Sequence, residues 1–462
     1  MITPKVGFIV YGVHKDGLLD PCGVPFIDDV IVAGAKAALT NSGLNLVSHD
    51  IVVASKDETQ KSLKKYKQDD DIDVIVLFTG TWVWSSHMLS ALRDFAKSGK
   101  GIVIWTHPGS QGWRPVGGLV LSAAMKEIGL KFRFVYGDAK DKKDVERIVN
   151  YCTASALVNT LNMTTVASFG GRGMGQNCGV ADPSQWTKTF GMDIDSRDTT
   201  QLIETAKGIS KEAVEEYRQS LTQWFHELPD DDETTSKSIR LYLAMKQLKE
   251  QLGFDYYTIQ SFPGLGDDYS ATCLMQSMML NDRQATSTLS DFNTLMSAIL
   301  LNEISTEGIY YGDLQHIDKQ SKEIKIIGDG TIPPSLAGKL SGGKASFAEH
   351  GIPTEGSAGG LSVSLVAKEG KGILARLGRS DGKFQMVLAK CDIFEPVEDE
   401  IERRKSECGI PFWPHAFVRM DADMDALIED WNSEYACLGY GDNLYDVLKD
   451  FCELVGIEVL LP

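Results

Sequence analysis

Asp291 opens the apolar run DFNTLMSAILL, and a carboxylate in that place can do two kinds of work. It can cap the free N–H groups of a helix start, where negative charge suits the helix dipole. It can also serve as an oxygen ligand for a hard divalent cation. A second chemistry-bearing stretch, SFGGRGMGQNCGVADPSQW at 168–186, sets Gly170, Gly171, Gly173 and Gly175 around Arg172 and Met174. A dinucleotide fingerprint needs a third glycine where this chain has Gln176, and a phosphate-binding P-loop needs Lys-Ser/Thr where it has Gln176-Asn177. Neither phosphate motif is met. Two readings remain: a tight strand-to-helix turn, or a turn whose backbone approaches a polar ligand closely with Arg172 beside it.

Trp82, Trp84, Trp105 and Trp113 crowd two neighbouring strand ends. Flat aromatic faces suit the apolar C–H side of a sugar ring, and they equally suit capping a sheet edge. No histidine pair has the H-x-x-x-H spacing of a helical metal site, and no cysteine pair forms C-x-x-C. His107 and His415 stand in loop contexts, Thr-His-Pro and Trp-Pro-His. The cysteines are expected to be reduced and mostly buried. With 46 basic and 64 acidic residues the formal charge is −18, which argues against nucleic acid or an anionic membrane as the main partner. No apolar run reaches the roughly 18–20 residues that span a bilayer, and a cytoplasmic protein is expected.

These residues need a scaffold. A chain of 462 residues exceeds a single core. Residues 1–160 alternate strand and helix patterns, with β runs at Lys5–Tyr11, Leu46–Ala54, Asp73–Phe78, Ile102–Trp105 and Phe132–Tyr136. Strands apolar throughout and separated by helices predict a parallel sheet covered on both faces. Residues 161–340 predict a second such unit, with strands at Thr164–Phe169 and Phe254–Ile259 and helices near 209–227, 236–252, 270–281 and 291–304. From 341 to 462, short β runs with an Asp381-Gly382 hairpin signal predict a smaller, mainly antiparallel domain. The expected fold class is α/β: two doubly wound parallel-sheet domains plus a β-rich C-terminal domain. Ligands in such sheets meet the loops at the strand C-terminal ends.

Several segments, in order along nearly the whole chain, resemble the L-fucose/L-arabinose isomerase family, in particular its bacterial fucose isomerase-like branch. They are FTGTWVW (78–84), GGRGMGQNCGVADPSQWTKTFGMDIDSRD (170–198), FDYYTIQSFPGL (254–265), TSTLSDFNTLMSAILL (286–301), YYGDLQHID, GTIPPSLAG, FWPHAFVRM (412–420), DWNSEYACLGYGD (430–442) and DVLKDFCELVGIE (446–458). The resemblance implies a divalent cation, typically Mn2+, held by a glutamate, an aspartate and a histidine, with carboxylates moving protons. The aspartate falls on Asp291, the expected metal ligand. The glutamate's place falls near Thr272 and Cys273, and the histidine's on the pair Glu434-Tyr435. Asp291, Glu434 and Tyr435 are the expected catalytic group. Under a small shift of register Asp267, Asp268 or Glu434 takes the ligand or base role; alternatively His350 or His415 reaches in from another loop. The sugar is expected among Trp82, Arg172, Met174, Ser261, Thr331 and His415.

The implied reaction moves a hydrogen between C1 and C2, with a metal polarising the sugar oxygens and a base of matched pKa. The expectation is therefore a metal-assisted aldose–ketose isomerase. The alternative is a sugar-processing or sugar-binding protein on the same scaffold without that metal site or chemistry. Arg172 suggests a sulfonated or carboxylated sugar, because guanidinium binds such groups through paired hydrogen bonds. The resemblance further implies a homo-oligomer, trimer or hexamer, in which Trp82 completes a neighbouring subunit's site.

Overall fold

The computed structural model describes residues 2–12, 27–68, 71–109, 113–173, 177–261, 263–349, 357–407 and 410–462, so Met174 and His350 lie outside the described residues. The chain divides into two units. The first is Ile2–Leu161 with Asp446–Val455, and the second is Asn162–Tyr445 with Gly456–Pro462.

The first unit is built on β1 (Lys5–Tyr11), β2 (Asn45–Val53), β3 (Val74–Thr79), β4 (Gly101–Thr106) and β5 (Arg133–Tyr136), in the order β2-β1-β3-β4-β5 and parallel throughout. Strands β3 and β4 are buried along their whole length. Alternate side chains feed two cores: Ile75 and Leu77 join Leu92 and Phe95, while Val74, Val76 and Phe78 join Phe8, Leu39 and Ile148. Two covered faces explain why these strands read as unbroken apolar runs. Trp105 belongs to this core, its Nε1 donating to the Gly137 carbonyl at 2.9 Å. Trp84 and Trp113 are instead 56% and 46% exposed. Trp82 is half-buried, its ring 4.4 Å from that of Trp84. The segment Asp446–Val455 completes the unit. Arg133 pairs with Asp450 and Glu453, and Lys131 Nζ donates to the carbonyls of Glu453 at 2.9 Å and Leu454 at 2.8 Å. No described helix is long and apolar enough to cross a membrane.

The second unit carries a parallel sheet of β6 (Thr165–Phe169), β7 (Asp193–Arg197), β8 (Tyr256–Ile259) and β9 (Thr286–Ser287), ordered β7-β6-β8-β9. Next come β10 (Tyr310–Asp318) and β11 (Glu323–Ile327), then the separate hairpin of β12 (Ser346–Glu349) and β13 (Leu361–Ser364). The remaining strands are β14 (Gly370–Ser380), β15 (Lys383–Phe394), β16 (His415–Asp421), β17 (Tyr435–Tyr440) and β18 (Glu458–Leu460). Antiparallel pairings run β14-β17-β10-β11-β16-β15, and β15 pairs back onto β14. The strands therefore close into a ring, which removes free edges. Strand β18 adds parallel to β15.

The α/β class with parallel sheets and a mainly antiparallel C-terminal part is as expected. The expected boundary at 340 falls inside the second unit, because the ring takes β10 and β11 from before it and four strands from after it. Asp381 and Gly382, at φ 49° and 72°, make the expected two-residue hairpin turn between Ser380 and Lys383. The helix Phe292–Ile304 buries every residue except Glu303 and packs against β8, β9, β14 and β17. Its N-terminus is thereby fixed between the parallel sheet and the ring.

Candidate active site

The loops leaving β6, β8 and β9 lie at the C-terminal ends of parallel strands, where such sheets bind ligands. Gly170, at φ 84°, turns the chain out of β6, and its N–H donates to the Arg197 carbonyl at 2.8 Å. Gly171 N–H donates to Gln260 Oε1 at 2.8 Å, tying this loop to the one after β8. A Cβ on Gly173 would lie 2.2 Å from the Leu289 carbonyl oxygen, and one on Gly179 would lie 2.9 Å from the Asp291 carboxyl. Gly173 and Gly179 therefore let their backbone press against the turn after β9. In that turn Leu289 and Ser290 hold left-handed backbone, at φ 59° and 54°. Two consecutive non-glycine residues in that region store strain of the kind that gathers at functional sites.

Asp291 caps the buried helix. Its Oδ1 accepts from the N–H groups of Asn293 and Thr294, both at 2.9 Å. Its Oδ2 accepts from Thr294 Oγ1 at 2.7 Å and from Arg376 Nη2 at 3.0 Å. Arg376, on β14, is fully buried and also contacts Thr294 Oγ1 through Nη1. A buried ion pair persists only when each charge has a counter-charge and further hydrogen bonds, and here both do. These donors fill the about four lone-pair directions of the carboxylate.

Asp329 follows β11. Its Oδ2 accepts from Tyr435 Oη and from Thr288 Oγ1, each at 2.8 Å, and its carbonyl accepts from the Cys273 thiol at 3.3 Å. Oδ1 accepts from no described residue. Burial raises the Asp329 pKa above the usual carboxylate value; the two hydroxyl donors draw it back in part, and the negative charge of Glu434 pushes it up again. Burial and the neighbouring Asp329 charge drive the Tyr435 phenol far above its ordinary range, so it stays a neutral donor. Glu434 is exposed beside them, with the Cys178 thiol 3.7 Å from its Oε2. Burial, then the charges of Glu434 and Asp291, raise the Cys178 pKa.

The structure thus gathers Asp291, Glu434 and Tyr435 with Thr288, Asp329, Arg376 and Cys178. Arg172 is exposed on the glycine turn, its Nη1 donating to Asn177 Oδ1 at 3.3 Å. Ser261 lies just past β8. Thr331 is buried, its hydroxyl on Tyr311 Oη at 3.0 Å. His415 is fully buried inside the ring sheet. Its Nδ1 donates to the Trp413 carbonyl at 2.6 Å, and its pKa is lowered to about 4, chiefly by burial. None of its ring contacts is a member of the cluster. Asp267 and Asp268 are exposed, and Asp267 accepts from the Ser357 N–H. Trp82 belongs to the first unit.

The expected Mn2+ does not suit this donor set. Asp291 is saturated, Thr272 donates to Gln276 Oε1 at 2.7 Å, and Tyr435 offers a neutral phenol where an imidazole is implied. Among the described residues no three His, Cys, Asp or Glu side chains converge in a metal-holding arrangement. Sequence reasoning overlooked Asp329 and Arg376. The only signal for Arg376 is a charge at the centre of the apolar run GILARLG, and for Asp329 a Gly-Asp-Gly turn between a β run and Pro-Pro.

No family model matches the chain. Sulfoquinovose isomerases of Priestia aryabhattai and of Priestia megaterium (strain ATCC 12872 / QMB1551) are each 22% identical to it over 379 residues, 78% of this chain and 82% of theirs. The sulfoquinovose isomerase of Clostridium sp. (strain MSTE9) is 23% identical over 347 residues, 72% of this chain and 73% of its own. A solved solute-binding protein of an ABC transporter from Burkholderia multivorans covers 66% of this chain and 93% of its own at 13% identity, with a TM-score of 0.20, too low to bear on the fold. The chain is similar over most of its length to sugar isomerases, in agreement with the aldose–ketose isomerase expected from the sequence.

Proposed function

We propose that this chain interconverts a sulfonated aldose and its ketose at the cluster around Asp329, on a fucose isomerase-like scaffold. The observation that carries this reading is one carboxylate, its pKa raised by burial, pinned through Oδ2 by two hydroxyls while Oδ1 stays free of described partners. A base tuned upward from the ordinary carboxylate range is what proton abstraction beside a carbonyl requires. Asp329 takes the proton from C2 of the open-chain aldose. The C–H electrons form the C1=C2 bond of an enediol while the carbonyl oxygen on C1 gains a proton. The proton then returns to C1, the hydroxyl on C2 loses its own, and a C2 ketone remains. Tyr435 and Thr288 hold the base in place throughout.

The sulfonate follows from the relatives' names and from Arg172, the cation carried on the glycine turn. Arg172→Met is expected to raise KM for a sulfonated hexose roughly 10- to 100-fold, corresponding to about 1.5–3 kcal/mol for a hydrogen bond to a charged group. KM for the neutral hexose should hardly move; an equal loss on both sugars removes Arg172 from the sulfonate site. The reaction itself is read by incubating the protein with sulfoquinovose in D2O and following the products by NMR. A sulfonated ketose that carries solvent deuterium at C1 supports proton transfer, and no ketose at all overturns the proposal. The reading also carries a homo-oligomer, supported by the exposed indoles of Trp84 and Trp113 and measurable by light scattering.

A further inference from the structure

We propose that the guanidinium of Arg376 takes the place of the divalent cation at Asp291, so that this chain works without a metal. The inference rests on the isomerase reading for the site's purpose, though its main test does not. The resemblance implies a cation held by a glutamate, an aspartate and a histidine. Of these only Asp291 is present, and its four acceptor directions are taken by two backbone N–H groups, Thr294 Oγ1 and Arg376 Nη2. To reach Asp291 a cation would have to displace either the helix cap or a guanidinium that is itself fully buried. It would also meet the positive charge of Arg376 in a poorly screened interior, where like charges repel strongly.

The other two ligand places point the same way. Tyr435, at the histidine's place, offers a hydroxyl that already donates to Asp329, as the neighbouring Thr288 hydroxyl does. Cys273, at the glutamate's place, donates its thiol to the Asp329 carbonyl. The donor set that a cation would need has become a set of hydrogen-bond donors serving one carboxylate. Arg376 lies too deep to touch a sugar, so it is a positioning residue. It fixes Asp291 and Thr294, hence the strained turn from Thr288 to Asp291, and through the Thr288 hydroxyl the orientation of Asp329.

The test reads metal directly on full-length protein purified without chelator. Elemental analysis is expected to find well under 0.1 equivalent of Mn, Fe, Co or Zn per chain. Mn2+ titration is expected to leave Tm unchanged, and EDTA to leave activity unchanged. A stoichiometric metal whose removal by EDTA abolishes activity overturns the proposal. Arg376→Ser should open the position: this variant is expected to gain a Tm increase with Mn2+ that Arg376→Ser/Asp291→Asn lacks. A folded Arg376→Ser protein with no Mn2+ response removes Arg376 from this role. If that variant does not fold, the metal content and Mn2+ response of the unaltered protein still decide. Both are measured without substrate, so a metal-free protein lacking isomerase activity counts against the proposed reaction and leaves this inference standing. For the positioning role, Arg376→Lys is expected to lower kcat at least 10-fold with KM changed less than threefold; equal kcat in a folded Arg376→Lys protein overturns it.

Discussion

Asp329→Asn is expected to lower kcat for isomerisation by about 10^2- to 10^4-fold, the range that loss of a positioned general base produces, while the protein remains folded. Asparagine matches the shape of aspartate, and its side-chain oxygen can still accept from Tyr435 and Thr288, so the surrounding hydrogen bonds survive. What disappears is the capacity to take a proton. The stability effect should run the other way. Burial raises the Asp329 pKa in the folded protein, so this group favours folding when protonated at low pH and opposes it as pH rises through the folded value. Above that folded value the unaltered protein carries a buried charge that the asparagine variant lacks, and there Tm should rise or hold. The acid limb of the pH–rate profile should lie above the ordinary aspartate value of 3.8. Removing the negative charge of Glu434 with Glu434→Gln should move that limb to lower pH. Full activity in Asp329→Asn, or an acid limb at the ordinary value, assigns the base elsewhere.

Arg376→Met is expected to destabilise the second unit by about 3–5 kcal/mol, because it strands the Asp291 charge in a buried setting. The helix N–H groups that remain on Oδ1 keep the loss toward the lower end. Chemical denaturation with fluorescence detection measures it. Asp291→Asn alone should also be costly, since it leaves a fully buried guanidinium without its counter-charge. The double variant Asp291→Asn/Arg376→Met should cost clearly less than the sum of the two, which is the signature of a coupled pair. Additive losses would mean that the two charges do not support one another.

The layout of the molecule is legible in its sequence wherever one local rule decides. Runs such as DVIVLF and GIVIWT announce doubly covered parallel strands, and Asp381-Gly382 announces its hairpin. The helix at 292–304 is equally plain, because an aspartate cap precedes a run that is apolar on all sides. The glycine turn is legible as a close-approach element, although the partner of that approach, Leu289 and Asp291, is more than 100 residues away and leaves no local trace. The division of the chain is less legible. Strands β10 and β11 read as the end of the central α/β segment, and only long-range pairing with β16 and β17 draws them into the ring. The site was hardest of all. Gly-Asp-Gly is the ordinary composition of a turn, and an arginine within a β run is the ordinary composition of an exposed face. Both acquire meaning only when Thr288, Tyr435 and Asp291 arrive from other elements.

The first unit is finished by residues that come after nearly all of the second. Phe451 and Cys452 are fully buried, Leu454 packs onto the core around Phe8 and Trp105, and Asp450 supplies the partner of Arg133. During synthesis the strands and helices of residues 2–161 leave the ribosome with that face of their core still uncovered, and it stays so until the whole of 162–445 has been made. The common order, in which an N-terminal unit is complete before the next begins, cannot apply to its final step. The newborn chain must hold an incomplete first unit while 162–445 is made, and closing it waits on Asp446–Val455.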